Sequence, residues 1–326
     1  MTTVTLTELA QDVRNFLRFK RAMGFSYRRA EFMLASLERF ARERSGGRRR
    51  IVLEETVGAW LSRSESRKAN SIAMEFAVVR QLCLHRRRRD PEGFVPERAW
   101  APKTELPFLP HIFSRAEVRQ ILTAADHCKH RRFSPRLMRT LILILYCTGL
   151  RFGEAVRLEL SDVNLDQDTF LIRESKGRTR IVPFGKDLRG EINRWLQERA
   201  GFVGSGSTPH EKALFVGREG RRMTVKQAGA ALRRLLRKER LKPQKGRLGP
   251  RPYDWRHAFA VHRLTDWYHR GVDIHARLPW LSAYMGHMNV LGTEVYLHAT
   301  PELLRLASRR LAHQLRATGA ARRSGK

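Results

Sequence analysis

Thr148-Gly149-Leu150-Arg151-Phe152-Gly153-Glu154 lies near the middle of the chain and reads as a helix stop, an arginine and a new helix start. The glycines let the backbone turn tightly. They present Arg151 beside a helix N-terminus, a favourable place for a phosphate oxygen. Just upstream, Pro135 precedes an apolar run over 137–146, which predicts a helix closed by Gly149. Just downstream, 169–173 is apolar and β-favouring, Lys176-Gly177 makes a turn, and Ile181-Val182-Pro183 returns, which predicts a short hairpin. From Asp187 the pattern is helical again, with loops at 201–210 and 241–251. The last helices are expected over about 254–268, 278–285, 290–297 and 301–315, with a small basic tail at 316–326.

Toward the N-terminus, Ser114-Arg115-Ala116-Glu117 is a capping box, and the stretch holding Pro102, Pro107 and Pro110 reads as a linker. Ahead of it, Thr5-Leu6-Thr7-Glu8 is another capping box. It opens a helix with Leu6, Leu9, Val13, Phe16 and Leu17 at helical spacing. Three more helices follow, marked by Phe32, Leu34, Leu37 and Phe40, then Val57, Trp60 and Leu61, then Ile72, Phe76, Val79, Leu82 and Leu84. Nothing in this part alternates like a strand. The expected fold is mainly α with a small β-sheet or hairpin: a helical domain over 1–105 and a larger domain over 106–326.

The chain has 326 residues, 64 Lys plus Arg against 32 Asp plus Glu, and a net charge of +32. Such a surplus calls for a polyanionic partner, and nucleic acid is the first candidate. A membrane is the other, but no segment reaches the ~18 apolar residues a span needs. The start lacks the pattern of a signal peptide. Cys83, Cys128 and Cys147 are odd in number and far apart, which argues against a disulfide framework and fits a reducing cytoplasm. The expected location is therefore the bacterial cytoplasm, beside the nucleoid.

No metal site is expected. His127-Cys128-Lys129-His130 has three potential ligands but no second pair at zinc spacing, so it reads as a solvated helix end. No Gly-rich phosphate loop and no Mg²⁺-holding acidic cluster appears. Phosphate chemistry here would rest on fixed cations and a covalent nucleophile, without a cofactor. Besides Arg151, Pro252-Tyr253-Asp254-Trp255-Arg256-His257 places a second arginine at a helix start. Met285-Gly286-His287 puts a polar residue beside a helix-ending glycine, and Tyr296 follows on the next short helix.

Those segments, in this order and at these separations, resemble the tyrosine recombinase (phage integrase) family over about 106–315. The phrase from Ala283 to Tyr296 further resembles transposon-borne members, including those found in trios of adjacent recombinases. The resemblance implies a role for each match. Arg151 and Arg256 would clamp the non-bridging oxygens of a scissile phosphate, and Tyr296 would attack phosphorus to leave a 3′-phosphotyrosine and a free 5′-hydroxyl. Lys176 would protonate that leaving oxygen, although Arg178 and Arg180 share its hairpin and could present a cation to DNA instead. His287 would hydrogen-bond the phosphate, and Glu154 would hold a cation still. His257 reads as a helix-start residue packing beside Trp255, next to the site. The family usually has histidine where this chain has Tyr253. A phenol can donate a hydrogen bond, but with a pKa near ~10 it is a poor base at neutral pH.

The implied function is cutting and rejoining of double-stranded DNA at defined sites, without metal or ATP. The two domains would close on the duplex as a clamp, in a homo- or hetero-tetramer that could include related recombinases. Two alternatives share the charge and fold: an accessory DNA-binding protein with a decayed site, which Tyr253 favours, and a topoisomerase of the same chemistry. Whether the C-terminal helix, rich in leucine, packs on its own domain or on a neighbour stays open.

Overall fold

The computed structural model describes residues 2–64, 66–103, 110–175, 178–203, 211–246, 248–297, 301–309 and 311–312. The chain divides into two compact units, Met1–Phe108 and Leu109–Lys326. Most of the linker expected around Pro107 lies outside the described residues.

The N-terminal unit holds β1 (Thr3–Thr5), α1 (Leu6–Ala22), α2 (Arg28–Arg44), β2 (Arg50–Val52), α3 (Leu53–Leu61) and α4 (Ala69–Arg86). The Thr5–Glu8 capping box forms in full: Thr5 Oγ1 accepts the Glu8 N–H at 3.1 Å, and the Thr5 N–H donates back to Glu8 Oε2 at 2.6 Å. The four helices enclose Trp60, which is fully buried among Phe16, Leu34, Leu37, Val57 and Val79. Each such side chain contributes roughly 1.5–3 kcal/mol of apolar burial. Two expectations need correction. Phe32 is 77% exposed and takes no part in this core. The unit is also not all-helical, because β1 pairs antiparallel with β2, Val4 opposite Ile51. Three-residue strands are too short to show alternation, and only their burial of Val4 and Ile51 reveals them.

In the C-terminal unit come α5 (Arg115–Asp126), α6 (Pro135–Thr148), α7 (Phe152–Arg157), β3 (Val163–Asn164), β4 (Thr169–Ser175), β5 (Arg178–Pro183), α8 (Lys186–Val203), α9 (Val225–Lys238), α10 (Asp254–His269), α11 (Ile274–Met285) and α12 (Leu291–Glu294). Residues 301–309 are helical again. Ser134 caps α6 with Pro135 at its first position, and Gly149 ends it in the left-handed conformation, φ 60°. That helix is apolar on most sides, so it runs through the centre and packs against α5, α8 and α10. The expected hairpin forms as β4–β5, Phe170 opposite Val182 and Ile172 opposite Arg180, with β3 added on the free side of β4. Its turn, Lys176-Gly177, lies outside the described residues. A further apolar cluster joins α10 and α11 to the C-terminal segment through Phe259, Leu264, Leu278, Met285, Tyr296 and Leu303. Leu303 therefore packs within its own chain, while Leu304 and Leu311 are exposed. Among the described residues no helix is long and apolar enough to cross a membrane.

Candidate active site

Two helix ends and two helix starts converge in the C-terminal unit. At the end of α6, a side chain on Gly149 would need a strained positive φ, and its Cβ would come within 2.3 Å of the Phe259 ring. The chain therefore turns sharply, and Arg151 stands at the N-cap of α7. Its backbone N–H donates to Glu154 Oε2 at 3.0 Å and its guanidinium to Glu154 Oε1 at 2.7 Å. A third bond runs from the same guanidinium to the Gly286 carbonyl at 2.7 Å. Glu154 is buried and also takes a 2.7 Å bond from Arg180. One carboxylate thus braces two guanidinium groups.

Arg256, on the first turn of α10, is 1% exposed. It donates to the Gly149 carbonyl at 2.8 Å and to the Met285 carbonyl at 2.6 Å. Burial, reinforced by the nearby Arg151 charge, lowers its pKa. For a group whose ordinary pKa exceeds 12 it stays protonated at neutral pH. A cation is thus buried beside another cation with no carboxylate bonded to it among the described residues, an arrangement that an incoming anion relieves.

α11 ends at Gly286, φ +69°, and Arg180 lies against that glycine so closely that a Cβ there would fall 2.8 Å from its guanidinium. Arg180 also donates to the Tyr284 carbonyl at 3.0 Å. His287 follows, its Nδ1 2.7 Å from the hydroxyl of fully buried Thr293. Its ring lies nearly parallel to that of Tyr296, centroids 6.3 Å apart. Tyr296 sits in the turn after α12 and is 4% exposed. Burial pushes its phenol up to about 12, against the pull of nearby Arg256.

Arg151, Glu154, Arg256, His287 and Tyr296 are therefore brought together. Tyr253 stands at the rim, 41% exposed, not packed in the core. Lys176 lies outside the described residues. The expected packing of His257 beside Trp255 is corrected: the ring neighbours of His257 are Tyr253 at 5.2 Å and Tyr296 at 5.4 Å, whereas Trp255 stacks on Phe113. Successive residues of a helix point about 100° apart, which separates the two. Arg180 is also corrected, from a cation offered to DNA to one bound to Glu154 inside the site. Strand alternation carried the signal: Arg180 shares a face with fully buried Val182.

The His127–His130 cluster is spent on local structure. A His127 ring nitrogen lies 2.9 Å from the Thr123 carbonyl, and His130 Nδ1 faces the N–H groups of Arg132 and Phe133 at 3.1 and 3.3 Å. Among the described residues no three potential ligands gather to hold a metal ion.

Residues 112–302 match the phage integrase family. Over 312 residues the chain is 29% identical to y4rB of Sinorhizobium fredii, assigned as an integrase/recombinase, covering 94% of this chain and 98% of that one. It is 31% identical over 200 residues to the tyrosine recombinase XerA of Thermococcus kodakarensis, covering 61% and 62% of the two chains. The fold is that of the Tn1549 transposon integrase, solved in complex with circular intermediate DNA, with a TM-score of 0.66 at 18% identity over 94% of this chain and 100% of that one. The match spans the arginines, the histidine and the tyrosine just described, and the chain belongs to the phage integrase family of tyrosine recombinases.

Proposed function

We propose that this chain cuts and rejoins double-stranded DNA at defined sites through a 3′-phosphotyrosine on Tyr296. The observation that carries the reading is the convergence of two guanidinium groups, Arg151 and Arg256, with His287 around one buried phenol. Arg256 and Arg151 hold the non-bridging oxygens and neutralise the charge that grows as phosphorus becomes five-coordinate. His287, fixed through Thr293, adds a hydrogen bond. Lys176 serves as the acid for the departing 5′-oxygen, a role an ammonium fills better than a guanidinium. These fixed cations do the work of a metal, and the ester stores the phosphodiester energy, so neither Mg²⁺ nor ATP takes part.

The net charge of +32 supplies a sequence-indifferent grip on phosphate, and the N-terminal unit serves as a DNA-binding domain beside the catalytic one. The relatives support DNA as partner: the Tn1549 integrase is solved with circular intermediate DNA, and XerH is solved on its difH substrate. Recombination joins two duplexes, so four protomers, alike or mixed with related recombinases, act together, and the nucleoid is their place of work. Tyr253 favours one other reading, an accessory protein that binds DNA without cutting it.

A suicide DNA substrate carrying the ends of the chain's own element separates the two. The wild-type protein should form a covalent adduct. Tyr296→Phe should form none while still binding DNA, because only the ester-forming atom is lost. Adduct at the wild-type level in Tyr296→Phe would move the nucleophile to another tyrosine, and no adduct in the wild type would leave the accessory reading.

A further inference from the structure

Attack by Tyr296 needs somewhere to put its phenolic proton. The phenol is buried and titrates near 12, so it is almost wholly protonated at neutral pH. Tyr253 carries another phenol and is a poor base. His287 has its Nδ1 engaged with the Thr293 hydroxyl. His257 stands differently. Its ring lies between the two tyrosines, 5.4 Å from Tyr296 and 5.2 Å from Tyr253. Its Nδ1 is buried and, among the described residues, has no hydrogen-bond partner. A buried polar atom without a partner is costly, and here it belongs to a ring that neighbours the ring of the nucleophile.

We propose that His257 accepts the phenolic proton of Tyr296 as the ester forms, a role that rests on the phosphotyrosine reading above. The Tyr296 oxygen–phosphorus bond forms and the bond from phosphorus to the 5′-oxygen breaks. The phenolic proton passes to the imidazole, and the departing oxygen takes its proton from Lys176. Rejoining runs the same transfers backwards. The charged and titratable groups facing His257 are Arg251, Asp254 and Arg256, with the phenols of Tyr253 and Tyr296. Burial lowers the pKa of His257, Asp254 opposing and the two arginines assisting. The ring is therefore neutral at neutral pH and able to take a proton.

The test is single-turnover cleavage by the full chain of a DNA substrate with a 5′-bridging sulfur at the scissile bond. A thiolate leaves without an acid, so the profile from about pH 5 to 9 reports the nucleophile side alone. The wild type should lose rate only as pH falls through the imidazole range, below about 6.5. His257→Gln should cut about 10²- to 10⁴-fold more slowly at neutral pH, with a rate that climbs toward the phenol range instead of levelling. Imidazole added to His257→Ala should restore cleavage. A wild-type rate and profile in His257→Gln overturns the proposal. So does an equal slowing at every pH without imidazole rescue, which marks a packing role. A profile kept in His257→Gln but lost in His287→Gln transfers the role to His287. Cleavage by the wild type alongside any of these leaves the phosphotyrosine reading standing, whereas a wild type that forms no adduct brings down both.

Discussion

In the N-terminal unit, Arg63 and Arg67 share the carboxylate of Glu75, and Arg86 and Arg89 share Asp12. In the C-terminal unit, Arg256 is more deeply buried than any of these, yet it donates to two backbone carbonyls. An arginine bonded to a carboxylate is fixed, but its charge is largely cancelled. One bonded to carbonyls is fixed equally well and keeps its charge for a partner. Arg151 falls between, bonded both to the Gly286 carbonyl and to the Glu154 carboxylate. The difference divides arginines that tie the fold together from one that the fold holds in readiness.

Arg256→Gln tests the comparison most severely. It keeps a donor for one carbonyl and removes the charge. Single-turnover cleavage should fall by about 3–4 kcal/mol, or roughly 10²- to 10³-fold, while DNA binding changes little. Cleavage within tenfold of wild type would mean that the phosphate does not meet this charge. Glu154→Gln comes next. It leaves Arg151 and Arg180 to share a neutral amide, and losing charged hydrogen bonds worth about 1.5–3 kcal/mol should slow cleavage ~10- to 150-fold. An unchanged rate would make Glu154 a folding residue only.

A milder effect is expected from Tyr253→Phe, which removes the hydroxyl that, on the proposed reading, would donate one neutral hydrogen bond to the phosphate. Cleavage should slow by about 1–1.5 kcal/mol, or ~5- to 10-fold, and Tyr253→His should match or exceed the wild type. A silent Tyr253→Phe would take this residue out of the site. Glu75→Gln should act least on cleavage. Stranding Arg63 and Arg67 should lower the melting temperature of the N-terminal unit by several degrees, for about 1–3 kcal/mol lost. At temperatures well below the melt, cleavage should stay within about twofold, since no part of the Glu75 cluster lies in the C-terminal unit. A larger loss of cleavage there would give the paired arginines a second task.

Local signals were the most legible in the sequence. The capping boxes at Thr5 and Ser114 and the stop at Gly149 involve neighbours within three or four positions, and each forms as read. The segments carrying Arg151, Arg256, His287 and Tyr296 could also be recognised, because their order and separations resemble those of the tyrosine recombinase family, although each segment alone says little. What stayed hidden depends on contacts between distant segments. β1 and β2 exist only through each other, and neither has length enough to show a pattern. Arg180 could be placed inward only by counting from Val182, and its bond to Glu154 joins two separate elements. His257 was read against its chain neighbour Trp255, but the ring it meets arrives from 39 residues further along the sequence at Tyr296.

The two carbonyls that hold Arg256 come from the ends of α6 and α11, which both close on a left-handed glycine. A helix C-terminus leaves its last carbonyls unsatisfied and carries a partial negative charge, so one guanidinium here serves as the shared cap of two helices. It also means that, under the proposed function, the phosphate clamp would have no existence apart from the finished domain. A chain in which either helix has frayed, or has ended one turn early, has a mobile arginine and no oriented cation. On that proposal, competence to break a DNA strand would arrive in the same step as completed folding, and a half-folded copy would hold DNA by charge without cutting it.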